Sequence, residues 1–348
     1  METSERCRRP RSPCATRGDR SHRPRHRRGR HRRRSELTAH RASLAHRSRR
    51  RGSRRARRLA DHARGTDVAG QLDFWTSICR DVPLLPVDHA TGARRATYGG
   101  TTSLTIDVPA DETQALLTVV PKAYHSRIND ALLAALAIAL ADWRAARGAP
   151  ETVSLVYLEG HGRESIFPTV DRSRTVGWLT TMFPVRLDAG QVDLREALHG
   201  GPAAGVVLRR IKDHLREVPH GGIGWSLLRY LNPETVNILQ SLPRASISFN
   251  YLGRFDERGA AGWRMAAEDA GSSIAAERER DHPIEVVSVI QGGTLLVEWR
   301  WWPDAHDRAS IADLAELEAK GAAFATLMRP GFALMTAASR RRGQSNAG

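Results

Sequence analysis

Polar and apolar residues alternate across 103–108, which predicts a strand with one wet face. Six consecutive residues at 153–158, Val-Ser-Leu-Val-Tyr-Leu, are nearly all apolar and predict a strand covered on both sides. Shorter runs at 183–187 and 246–251 add two more strands. Residues 284–290 and 294–302 predict a final pair, joined by Gln291-Gly292-Gly293 in hairpin spacing.

The helical period appears in other stretches. It returns at 58–64 and 68–75, with Leu72 and Trp75 on one face, and again at 207–218 and 223–231. Asp111 reads as the cap of a short helix through Leu117, which ends before Val119-Val120-Pro121. Residues 128–147 form the strongest helix, rich in Ala and Leu and apolar on most sides, as expected of a helix in the middle of a domain. Ser310 reads as the cap of a closing helix through Leu327. Helices and strands mix without strict alternation, so the pattern points to an α+β layered sandwich rather than a doubly wound parallel sheet.

Charge divides the chain. Residues 1–60 hold 23 arginines and four acids, a net of +19, so the other 288 residues carry −3 of the overall +16. The basic stretch has no Val, Ile, Phe, Trp or Tyr to bury, and 1–57 is therefore expected to be disordered. It contains no Lys and no aromatic residue for base stacking, which argues against nucleic acid as a partner. Arg, Ala, Gly, Pro, Ser and His without Lys is also the composition of GC-rich DNA translated in a shifted frame, the reading favoured over a phosphate-binding arm or a solvated linker. Cys7, Cys14 and Cys79 have no metal-ligand spacing and suggest a reducing compartment without a disulfide framework. No apolar run reaches membrane-spanning length, and the Arg-rich start lacks the apolar stretch of a secretory signal, so the sequence points to a cytoplasmic chain without a membrane partner.

Acid/base chemistry is concentrated in Glu159-Gly-His-Gly-Arg-Glu164, directly after the strand at 153–158. Read from the residues alone, Glu159 and Arg163 form either a working pair or a structural ion pair. His161 is either a ligand contact or a hydrogen-bonded strut, and Asn250 and Tyr251 are either site residues or a satisfied polar pair. Trp299, Trp301 and Trp302 read as packing.

Four motifs occur in order: Glu159-Gly-His-Gly-Arg-Glu164, Arg174-Thr-Val-Gly-Trp178 with Phe183-Pro-Val, Val218-Pro-His-Gly-Gly-Ile-Gly224, and Phe249-Asn-Tyr-Leu-Gly253. Together they resemble the second half of an epimerization domain of non-ribosomal peptide synthetases, a branch of the condensation-domain superfamily. Tyr124-His-Ser-Arg-Ile-Asn-Asp130 is similar too, and the likeness extends from about residue 58 to 335. The resemblance implies a chloramphenicol-acetyltransferase-like lobe over 58–335, flanked by the segment 1–57 and a disordered tail at 336–348. It implies inversion at Cα of an aminoacyl or peptidyl thioester held on the phosphopantetheine arm of a peptidyl carrier protein, alongside other synthetase modules. No metal or other cofactor would be bound directly. Glu159 would be the catalytic acid/base, Arg163 would hold the local geometry or tune its pKa, and His161, Arg163, Trp178, Asn250 and Tyr251 would line the substrate tunnel. Two departures stand out. The family's other acid/base group lies in a His-His-x-x-x-Asp-Gly motif, which none of these 348 residues supplies, and Trp225 stands where Tyr is usual. Impaired turnover, as a fragment lacking its first lobe, is the resulting expectation. Alternatives are a peptide-bond-forming condensation domain, or a non-catalytic module that docks a carrier protein or binds nucleic acid.

Overall fold

The computed structural model describes residues 59–92, 95–164, 180–255, 271 and 274–322. The chain divides into two units at 58/59, and every described residue lies in the second. Within that unit six strands form one mixed sheet in the order β1-β6-β5-β4-β2-β3: β1 (Thr102–Val108), β2 (Val153–Gly160), β3 (Thr181–Asp188), β4 (Ile247–Phe255), β5 (Ile284–Gln291) and β6 (Thr294–Trp301). β2, β4 and β5 run parallel to their neighbours in that series; the outer pairings are antiparallel.

The strand patterns explain the layers. β5 and β6 alternate buried and half-buried positions, which places Ile284, Val286, Trp299 and Trp301 on a core face. Ser248, Glu285, Glu298 and Arg300 fall on the other face. β2 is buried along its middle on both faces, as its continuous apolar run requires.

Eight helices can be bounded among the described residues: α1 (Thr66–Ala69), α2 (Leu72–Cys79), α3 (Ala110–Tyr124), α4 (Ile128–Ala145), α5 (Leu194–Leu198), α6 (Pro202–Glu217), α7 (Ile223–Tyr230) and α8 (Val236–Ser241). A helical turn at 59–63 precedes them, and α9 covers 308–322. α4 is buried from Asp130 through Ala141 and rests against β2, β3 and α6. Its start is fixed by Asp130, whose Oδ2 accepts from the Arg127 N–H at 2.7 Å. At its other end the Trp143 indole donates to the Ser310 carbonyl at 3.1 Å and ties it to α9.

Three local expectations need correction. α3 does not stop before Pro121 but continues to Tyr124, ending where His125 turns left-handed. The missing Pro121 N–H costs a helix about 3 kcal/mol, but Leu116 and Val120 are fully buried on that helix and Tyr124 packs against the same core, so burial outweighs the lost bond. Asp111 is not the cap: the helix opens after Pro109, and Asp111 sits in the first turn, where the helix dipole favours a carboxylate. Ser310 likewise lies inside the first turn of α9 and donates to Asp88 at 3.0 Å.

Glu318 on α9 is 2% exposed, and burial pushes its carboxyl up to about 8, with partial relief from the Trp299 indole. The folded chain keeps a proton there that the unfolded chain releases near the ordinary Glu value. Glu318's contribution to stability should therefore be fully present below about pH 4.5 and should be lost as the pH rises to about 8. Glu318→Gln removes that slope and should stabilise the chain at pH 8 by a few kcal/mol. Urea midpoints measured from pH 5 to 8 test this, and parallel pH profiles for the two proteins would refute it.

Candidate functional site

Glu159 is the penultimate residue of β2, beside Met182 of β3. The parallel register of β2 and β4 sets Leu158 against Phe249, so the next residues, Glu159 and Asn250, come side by side. Asn250 Nδ2 donates to Glu159 Oε2 at 2.7 Å. Alternation along both strands points this pair away from the core face held by Leu158 and Phe249. Solvent reaches Glu159, yet its carboxyl lies above the ordinary range, first because protein crowds it and second because Glu285 repels its charge.

The other sequence-derived residues fall in different places. His161 is exposed, and its Nδ1 accepts from the Arg163 N–H at 2.9 Å while Glu164 Oε1 lies 3.5 Å away. The ring therefore organises its own turn. Arg163 is exposed at the surface of the same turn. Tyr251 follows Asn250 on β4 and, by alternation, packs against the rim of the core; burial raises its phenol, and Arg254 opposes that rise. Trp178 lies outside the described residues.

Residues of all four motifs meet here. The Pro219–Gly222 turn seats Gly221 against Glu164, whose Cγ would be 3.1 Å from a Cβ at that position. The same turn presses Gly222 onto Phe183. Gly160 serves a related purpose: a Cβ there would come within 2.8 Å of Thr181 Oγ1 and 3.4 Å of the Gly221 carbonyl oxygen. What Gly160 admits is thus the neighbouring strand and turn.

Sequence reasoning does not find Glu285. Its only signal is the register of β4 and β5, in which Glu285 stands opposite Ser248, two residues before the position facing Asn250. Among the described residues no three His, Cys, Asp or Glu side chains gather to hold a metal ion, and no helix is long and apolar enough to cross a membrane.

Comparison with known proteins adds an independent line. The family described as Condensation domain matches residues 54–318. A linear gramicidin synthase of Brevibacillus parabrevis is 39% identical over 264 residues, which is 75% of this chain and 3% of that protein. Surfactin synthase subunit 1 of Bacillus subtilis (strain 168) is 35% identical over 246 residues, 70% of this chain and 6% of that protein. The chain thus spans a small fraction of these synthases. Among solved structures, the epimerization domain from the third module of tyrocidine synthetase B superposes with a TM-score of 0.65 at 30% identity, covering 77% of this chain and 57% of that one. The X-domain from teicoplanin biosynthesis shares the fold, with a TM-score of 0.53 at 20% identity over 78% of this chain and 58% of that one.

Proposed function

The chain belongs to the condensation-domain family of non-ribosomal peptide synthetases, and from that premise we propose that it carries one side of an epimerization site, inverting Cα of a carrier-bound aminoacyl or peptidyl thioester. The observation that carries this reading is the hydrogen bond from Asn250 to Glu159, which joins the first and fourth motifs on the open face of the sheet. The 30% identity to an epimerization domain supports the epimerizing branch over the peptide-bond-forming one.

A thioester Cα–H is weakly acidic, so inversion needs a base on one face, an acid on the other and stabilisation of the enolate oxygen. Glu159 exchanges the proton on its face: as carboxylate it takes Cα–H, and as carboxylic acid it returns a proton to the enolate. Asn250 fixes one carboxylate oxygen and leaves the other to address the substrate. The raised pKa of Glu159 lets both protonation states contribute closer to neutral pH. The opposite face requires a second acid/base group, and these 348 residues contain no His-His-x-x-x-Asp-Gly to provide it. The chain by itself should therefore turn over little.

The substrate for the test is a peptidyl carrier protein loaded with an L-aminoacyl or peptidyl thioester. The enzyme is a hybrid in which this chain is joined to the part of the tyrocidine synthetase B epimerization domain that it does not cover. The expected product is the D-configured thioester, separated by chiral chromatography after hydrolysis. Dipeptide formation with a second loaded carrier, without D product, would replace this reading by the condensation one.

A further inference from the structure

Beyond Glu159 and Asn250, the open face of the sheet holds a second carboxylate with a built surround. Tyr98 Oη donates to Glu285 Oε1 at 3.3 Å, and Arg280 Nη2 lies 3.3 Å from the same oxygen. The Arg280 side chain is itself wholly buried. Its Nη1 donates to Thr101 Oγ1 at 2.8 Å, its Nε donates to the His282 carbonyl at 3.2 Å, and its guanidinium carbon sits 5.2 Å from the Tyr98 ring centre. On β6, Arg300 stands opposite Glu285 and is paired to Glu298 at 2.6 Å. The Glu285 carboxylate is thus pinned, and solvent reaches only 17% of its side chain.

The register fixes where that charge points. Glu285 and Ser248 face each other across β5 and β4, and Asn250 follows Ser248 on the same face and holds Glu159. Two strand spacings and two residues along the strand separate Glu285 from Glu159, about 12 Å between Cα atoms, with both side chains projecting from one surface. Facing Glu159 from the adjoining strands are Asn250 on β4 and Met182 on β3, neither of which carries a charge. On its own chain segment follow His161, Arg163 and Glu164, all folded into the turn beyond it.

We infer that Glu285 is a positioning residue for the Glu159 acid/base group: its pinned negative charge, reaching Glu159 across the open face, sets the pH at which Glu159 gives up its proton. The inference rests on the proposed role of Glu159 for its meaning, but not for its test. The ordering of charges is consistent with it, since Glu285 is the charged group that acts on Glu159 after burial itself. A structural role for Glu285, holding Arg280 in place, leaves Glu159 unaffected; the positioning role does not.

The experiment is a carboxyl titration of the full chain labelled with 13C at Glu Cδ, with the Glu159 signal assigned by its loss in Glu159→Gln. In Glu285→Gln, an isosteric change that keeps an acceptor for Tyr98, the Glu159 midpoint should fall by about 0.5 pH unit. In the unaltered chain, raising salt from about 10 mM to about 1 M should move the midpoint down in the same direction, because salt screens the Glu285 field and leaves the burial contribution in place. If Glu285→Gln fails to fold, the salt series decides alone. A midpoint that responds to neither change overturns the inference. Failure of the epimerization reading appears separately, as absence of D product from the hybrid enzyme while the titration still shifts.

Discussion

Replacing Glu159 by Gln should lower the rate of Cα inversion by about 10²–10⁴-fold, the usual worth of one positioned proton-transfer group. Gln preserves shape and keeps an oxygen to accept from Asn250 Nδ2, so the fold and the Asn250 contact survive and only the titrating group is lost. Stopped-time assays of D product by the hybrid enzyme, with carrier affinity measured in parallel, separate the two contributions. The rate should fall while carrier affinity stays within about twofold. A variant with near-normal turnover would remove Glu159 from the chemistry. Asn250→Ala should act more weakly, because it leaves the carboxyl in place and frees only its orientation, at a cost near that of one hydrogen bond to a charged group.

The second large effect is structural. Gly222→Val should destabilise the chain by about 3 kcal/mol or more, read as a fall in the unfolding temperature or as loss of soluble protein. Gly222 has φ of +85°, where a β-branched residue is strained, and a Cβ there would lie only 2.0 Å from the Phe183 ring. Phe183 is nearly buried between strand and turn and sits 6.3 Å, ring centre to ring centre, from the fully buried Trp75. A displaced ring presses on Trp75, so the shift passes into the Trp75–Trp225 contact and the turn that abuts Glu164. Gly160→Ala is the informative contrast. Its new methyl meets chiefly the Thr181 hydroxyl end, which can rotate, so the expected cost is about 1 kcal/mol. Equal unfolding temperatures for Gly222→Val and the unaltered chain would refute the close approach of turn and strand.

Part of this architecture can be read from periodicity, because β1 alternates half-buried and exposed positions and the sequence alternation records that directly, whereas β5 and β6 alternate buried and half-buried positions and are legible as apolar stretches joined by a Gly-Gly turn. β2 is legible for the opposite reason: a strand covered on both sides needs an unbroken apolar run. The continuation of α3 past Pro121 is not legible, since local propensity argues for a stop and the burial of Val120, with the packing of Tyr124, argues against it. The short helices α5 and α8 escape a periodicity reading because five or six residues hold too little of a 3.6-residue period to stand out.

The site divides along similar lines. Glu159 and Asn250 are visible as motif residues, but their contact depends on parallel pairing between strands about ninety residues apart, which no local pattern encodes. The use of Gly160 is visible only in the fold, where it admits Thr181 and the Gly221 turn. Glu285 carries no motif at all. Its place beside the pair follows only from the register of β5 against β4 and from the burial of Arg280 behind it.

A two-base site makes one demand that no structural role for Glu159 would share. When the hybrid enzyme meets carrier-bound L and D thioesters separately in deuterium oxide, each enantiomer should lose its Cα proton to the group on its own face. Glu159→Gln should then suppress deuterium uptake into one enantiomer by at least about 10²-fold while the other continues to exchange with retained configuration. Uptake reduced equally in both enantiomers, or in neither, would contradict Glu159 as one half of the acid/base pair.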